Sequence, residues 1–224
     1  MNKKKLIKLI FIGLIFYFIK YVEYIPIYLF EMDVNNLTVN ENCFLNLFEN
    51  LCLVLILLFI YRKDIVKYKR KLRGKHLYTF DRSFRYYLIG IFLMIATNLG
   101  TTLIFGGSGS NNEKMVQDMI TANPILMLLN AGIIAPVTEE LTFRKSYMDA
   151  FPNKKLFIVT SSLVFGLAHV IFSATNIASF MYFIPYSMLG LAFALMDCES
   201  DNVIPSICFH MAHNSILIIL SSLV

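Results

Sequence analysis

The chain has 224 residues, of which 57% are hydrophobic and only 16% charged, with a formal net charge of +5. Soluble domains carry about 25% charged residues, and a mean hydropathy of +0.64 puts this chain outside that class. A nucleic-acid binder is excluded by the way the charge is distributed, because half of all Lys and Arg fall in one connection between apolar segments.

Taken in order, the chain opens on Lys3, Lys4 and Lys5 followed by an apolar stretch. This has the start of a secretory signal, but no small-residue cleavage site follows and Lys20 comes directly after, so it reads as an uncleaved first membrane helix. About 20 mostly apolar residues are needed to span a bilayer. Segments of that kind run over 6–29, 43–61, 86–106, 124–145, 156–174, 177–197 and 203–222. The expected fold is an all-α, polytopic transmembrane bundle of about seven helices. The first, fourth and seventh segments carry polar interruptions, so six to eight helices are compatible with the pattern.

The connections set an orientation, because cytoplasmic loops are enriched in Lys and Arg. The N-terminal lysines belong inside, and the acidic stretch 31–42 belongs outside. The loop 62–85 holds Arg62, Lys63, Lys67, Lys69, Arg70, Lys71, Arg73, Lys75, Arg82 and Arg85 and is read as a cytoplasmic topogenic loop. The glycine-rich stretch 106–109 lacks a following Gly-Lys-Ser/Thr and reads as a flexible external connection rather than a phosphate loop. Arg144, Lys145, Lys154 and Lys155 return to the inside. The sequence divides into 1–115, with N-terminal transmembrane helices and a basic loop, and 116–224, a second transmembrane unit. Cys43, Cys52, Cys198 and Cys208 form no CxxC pair and behave as small hydrophobes.

Ionisable residues in lipid are costly, so each is a functional candidate. Pro136, Thr138, Glu139, Glu140, Phe143 and Arg144 form one cluster. Glu140 and Arg144 are four apart and share a helix face as an ion pair, whereas Glu139 lies about 100° round the helix and looks elsewhere. A purely interfacial helix end accounts for Arg144 and Lys145 meeting headgroups but not for two adjacent acids. Phe165 and His169 stand one turn apart in the next segment. His210 and Asn214 do the same in the last, with His213 beside them. Only His76 lies in an ordinary loop. The segment bounds leave His169 deeper than Glu139, a tension that implies a misplaced boundary.

A carboxylate and an imidazole can together deprotonate water, and a second His with an Asn amide can stabilise the resulting oxyanion. That suffices for peptide hydrolysis without a covalent nucleophile. The same set suits zinc, with Glu139, His169 and His210 as ligands, although the HExxH signature is absent.

Glu139-Glu140-xxx-Arg144, Phe165-xxx-His169 and His210-xxx-Asn214, in that order on apolar helices, resemble the CAAX-protease and bacteriocin-processing family of intramembrane proteases, also called CPBP or Abi. The resemblance covers residues 120–220 or so. It implies that 116–224 is the catalytic core, that Glu139 and His169 activate water, that His210 and Asn214 form the oxyanion hole, and that Glu140 and Arg144 support them. Lys145 stands where the family often has Gly. The Lys-, Ile- and Asn-rich composition looks bacterial, so the expectation is a multi-pass bacterial membrane peptidase with a cytoplasmic N-terminus. Its partners would be the bilayer and a membrane-associated peptide or protein substrate, in bacteriocin or signal-peptide processing or immunity. The rival readings are a non-catalytic immunity or scaffold protein and a proton-relay transporter. The transporter reading lacks the inverted repeats such proteins often show.

Overall fold

The structure is a computed structural model and describes residues 3–106 and 109–223. Helix α1, Lys3–Phe18, continues through a 3-10 turn, Ile19–Glu23, into the short α2, Tyr24–Leu29. Then come α3, Val39–Leu72, and α4, His76–Phe105. These are followed by α5, Asn111–Ala122, and α6, Pro124–Ala150. The chain closes with α7, Lys154–Val170, α8, Ile177–Ser200, and α9, Ile204–Ser221. Every apolar segment read from the sequence is helical, and no strand occurs among the described residues. Helices α3, α4, α6, α8 and α9 are long and apolar enough to cross a membrane.

The helix starts follow local chemistry. Thr38 and Glu41 form a reciprocal capping box at the head of α3. The side chains of Ser110 and Asn153 each accept the N–H three residues on, opening α5 and α7. Pro124 and Pro205 stand in the first turns of α6 and α9, where a missing N–H costs nothing.

Three sequence expectations change. The basic stretch 62–85 is not a loop: its residues extend α3 and α4 beyond their apolar parts, and the chain reverses at a tight turn where Gly74 takes φ 78°. His76 is correspondingly the first residue of α4 rather than a loop residue. The connection at 106–109, whose Gly107 and Ser108 lie outside the described residues, leads straight into the additional helix α5. Finally, α6 runs on to Ala150, past the expected end at 145, because Lys145 pays for its burial with ion pairs to Asp149 at 2.6 Å and Asp64 at 3.6 Å. Arg144 and Lys145 are therefore inside the protein and not at a headgroup surface.

Helix α8 is the central element, packed on α7 and α4 through small residues that let backbones approach. A Cβ on Gly166 would collide with the Phe183 carbonyl and Ser187, and one on Gly90 with Ala192. Outward, α4 presents Leu88, Ile89, Phe92, Ile95, Leu99 and Leu103, an apolar surface suited to lipid. One end of the bundle gathers Lys8, the α3–α4 turn, Lys145 and the α8–α9 turn. Lys8 meets Asp149 at 4.0 Å and the Tyr61 ring at 3.9 Å, while Lys71 pairs with Asp201 at 2.7 Å.

Candidate active site

Pro136 shapes the site from within α6. Lacking an N–H, it cannot serve the carbonyls of Gly132 and Ala131, its partners in α and π geometry respectively. The helix responds by widening into a π-helical stretch, Leu128–Ile134. Two side chains of α9 take the freed carbonyls. Asn214 Nδ2 donates to Ala131 O at 2.9 Å, and Ser215 Oγ donates to Gly132 O at 3.3 Å. In lipid an unmet carbonyl is costly, so these bonds seat α9 against α6 in one register. A second π-helical stretch, Glu140–Lys145, follows directly after Glu139.

That register puts His210, one turn before Asn214, between the two acids of α6. Its Nδ1 lies 2.9 Å from Glu140 Oε1, and since a carboxylate accepts, Nδ1–H donates. Its Nε2 lies 3.7 Å from Glu139 Oε2. The ring stacks on Phe193 with centroids 4.8 Å apart, and Phe165 meets it edge-on at 5.8 Å. The two glutamates thus reach opposite nitrogens of one imidazole, so Glu139 does not look wholly away from Glu140's partners.

Arg144 and Glu140 are both completely buried and pair at 3.3 Å. The guanidinium lies over the Phe165 ring at 4.3 Å and donates to Ser161 Oγ at 3.4 Å, which in turn donates to Phe143 O at 2.8 Å. Gly190 makes room: a Cβ there would stand 3.0 Å from Phe165 and 3.4 Å from Arg144.

His169 approaches from α7. Its Nδ1 lies 2.9 Å from Phe165 O, and because a carbonyl only accepts, Nδ1 carries the hydrogen. Its Nε2 is 3.8 Å from Glu139 Oε2. The longer α6 narrows the depth mismatch, since Glu139 now stands about three turns before the end of α6 and His169 about four turns into α7. Glu139 and His169 remain partly accessible, each with a side-chain exposure of 18%, whereas His210 is at 3%. The site therefore opens on the Glu139–His169 side.

Glu139, Glu140, Arg144, His169 and His210 are thus brought together, and Asn214 stands one turn along α9 on the Ala131 carbonyl. His213 belongs elsewhere, hydrogen-bonded through Nδ1 to Tyr87 at 3.1 Å. Asp197 of α8 escaped the sequence reading. It is completely buried and faces Glu140 and Arg144, and an acid at the end of an apolar segment was signal enough to find it. Tyr186, stacked on His169, gave no signal, because a tyrosine in an apolar helix is ordinary. Among the described residues no group of three His, Cys, Asp or Glu side chains stands close enough to hold a metal ion as placed, while Glu139 Oε2 lies within 3.8 Å and 3.7 Å of the two imidazole Nε2 atoms.

The fold and site define the class: a multi-pass helical membrane protein whose spanning helices surround a Glu–His centre. Comparison with known proteins carries this further. The family description "Type II CAAX prenyl endopeptidase Rce1-like" matches residues 121–216. The UPF0177 protein YxdF of Lactococcus lactis is 32% identical over 168 residues, covering 72% of this chain and 88% of that protein. The "Putative membrane peptidase YdiL" of Bacillus subtilis is 29% identical over 121 residues, 52% of this chain. The chain spans about half, 46%, of YdiL's length. No solved structure matches. The chain belongs to the Rce1-like, or CPBP, family, and that membership supports membrane protease activity.

Proposed function

We propose that this protein is an intramembrane endopeptidase that cleaves a membrane-associated peptide or protein with a water activated by Glu139 and His169. The observation that carries this reading is the convergence of Glu139 Oε2 on two imidazole Nε2 atoms, at 3.8 Å and 3.7 Å. With the hydrogen of His169 committed to Phe165 O at Nδ1, its Nε2 offers a lone pair. Nε2 and the carboxylate oxygen are then both acceptors, too far apart to bond each other but spaced so that one water can donate a hydrogen to each. The water oxygen keeps its lone pairs for a substrate carbonyl.

Attack forms the C–O bond and pushes the carbonyl electrons onto oxygen. The water proton passes to the Glu139–His169 pair and from there to the leaving amine as the C–N bond breaks. The oxyanion needs donors. Asn214 uses one amide hydrogen on Ala131 O and retains another. His210 keeps Nδ1–H on Glu140, and its Nε2, 3.7 Å from Glu139 Oε2, can present an N–H to the oxyanion once it carries a hydrogen. Glu140 and Arg144 hold the His210 ring and contact no substrate. The catalytic core on this reading is 116–224, with 1–115 flanking it. The basic end faces the cytoplasm of a bacterial cell, and the substrates are peptides of bacteriocin or signal-peptide processing or immunity.

The test compares peptide termini in membranes from cells carrying the wild-type chain and Glu139→Gln. A terminus formed only with wild type supports the assignment and identifies the substrate. Identical termini together with an unchanged cellular phenotype would favour a scaffold that sequesters a partner.

A further inference from the structure

Tyr186 of α8 lies flat on the His169 ring, with centroids 4.5 Å apart and the planes inclined by 25°. Phe165 meets the same imidazole at 4.5 Å, tilted by 51°. The Tyr186 hydroxyl leads away from the site toward α5, where it is hydrogen-bonded with Ser110 Oγ at 3.1 Å and accepts from Asn112 Nδ2 at 3.4 Å. Asn111 fastens the same stretch to the α7–α8 connection through Ser173 O at 2.8 Å and Thr175 Oγ1 at 3.1 Å. One hydrogen bond at Nδ1 leaves an imidazole free to swing about that bond, and a ring on its face removes that freedom.

We propose that Tyr186 is a positioning residue that clamps the His169 ring with Nε2 toward Glu139, its hydroxyl being anchored by the start of α5. The aromatic face does the clamping, and the hydroxyl bonds tie the start of α5 to α8 without being needed to hold the ring. The step this serves is the water activation described above, and to that extent the inference rests on the protease reading.

The test uses the full-length chain in lipid nanodiscs with histidine-selective isotope labelling, the His169 signals being assigned with His169→Gln. In the wild type and in Tyr186→Phe, His169 holds the Nδ1–H tautomer in one ordered environment. In Tyr186→Leu the ring exchanges between tautomers and its signals broaden. Tyr186→Met, which fills the volume without a ring, behaves like the Leu variant and serves in its place if that protein fails to fold. On an internally quenched peptide carrying one apolar membrane segment, Tyr186→Leu lowers kcat by roughly 10- to 100-fold with little change in KM, and Tyr186→Phe stays within about 3-fold of wild type. A His169 signal as ordered in both the Leu and Met variants as in wild type overturns the clamp. Tautomer exchange in the variants, alongside a wild type that cleaves no peptide, upholds the clamp and sinks the protease reading instead.

Discussion

Glu140 and His210, 70 positions apart in the chain, share a 2.9 Å hydrogen bond in the interior of a membrane protein. Burying that bond needs Arg144, whose positive charge at 3.3 Å from Glu140 offsets an otherwise unpaired carboxylate. The ion pair of α6 is therefore what orients the imidazole of α9.

Removing the cation alone leaves the buried Glu140 carboxylate with the His210 hydrogen bond and no ion-pair partner on its own helix. Arg144→Met is expected to destabilise the protein by about 3–5 kcal/mol, and adding Glu140→Gln to recover part of that loss. Thermal unfolding in nanodiscs measures both. A double variant no more stable than Arg144→Met would show that the pair is not the source of the effect.

Glu139→Gln preserves size and packing while removing the acceptor for the water proton. Its melting point should match wild type, while cleavage falls about 10²- to 10⁴-fold, the range for a positioned general base. Prolonged dialysis against a chelator should leave wild-type cleavage intact, because on this reading Glu139 and His169 activate the water by themselves. Activity lost on dialysis and restored by zinc would contradict the metal-free route.

Asn214 has two duties, and they separate. Asn214→Ala should lower kcat about 10²- to 10³-fold, as removal of an oxyanion donor does. It also frees the Ala131 carbonyl. Ser215→Ala loses only the neighbouring bond to Gly132 and should keep its turnover. Equal losses of turnover in the two variants would assign Asn214 to helix seating alone.

At Gly166 the obstacle to an added methyl includes backbone, the Phe183 carbonyl, which cannot move aside cheaply. Gly166→Ala should cost about 1–3 kcal/mol by overpacking and carry His169 off its station. Gly13 has nothing near its missing Cβ, so Gly13→Ala should be close to neutral in the same melting assay.

Much of this was legible in the residue pattern. Apolar runs announce spanning helices because lipid demands internally bonded backbone, and Glu139, His169 and His210 stand out because lipid penalises their kind. The helix ends were not legible: hydropathy stops at the first charges, whereas α3 and α6 run on through theirs. Lys145 looked like a headgroup contact because its partners lie past the expected helix end, at Asp149, and on another helix, at Asp64. Tyr186 owes its importance to the ring beneath it, which no local pattern encodes.

The widened stretch at Leu128–Ile134 also has a bearing on how such a chain can change over time. Each helical residue advances the screw by about 100°. Deleting one residue between Asn123 and Pro136 would turn Glu139 away from both histidines, although every catalytic side chain would still be present. Spacing in that interval is therefore constrained alongside identity, and a gap there would cost the site without removing any residue of it.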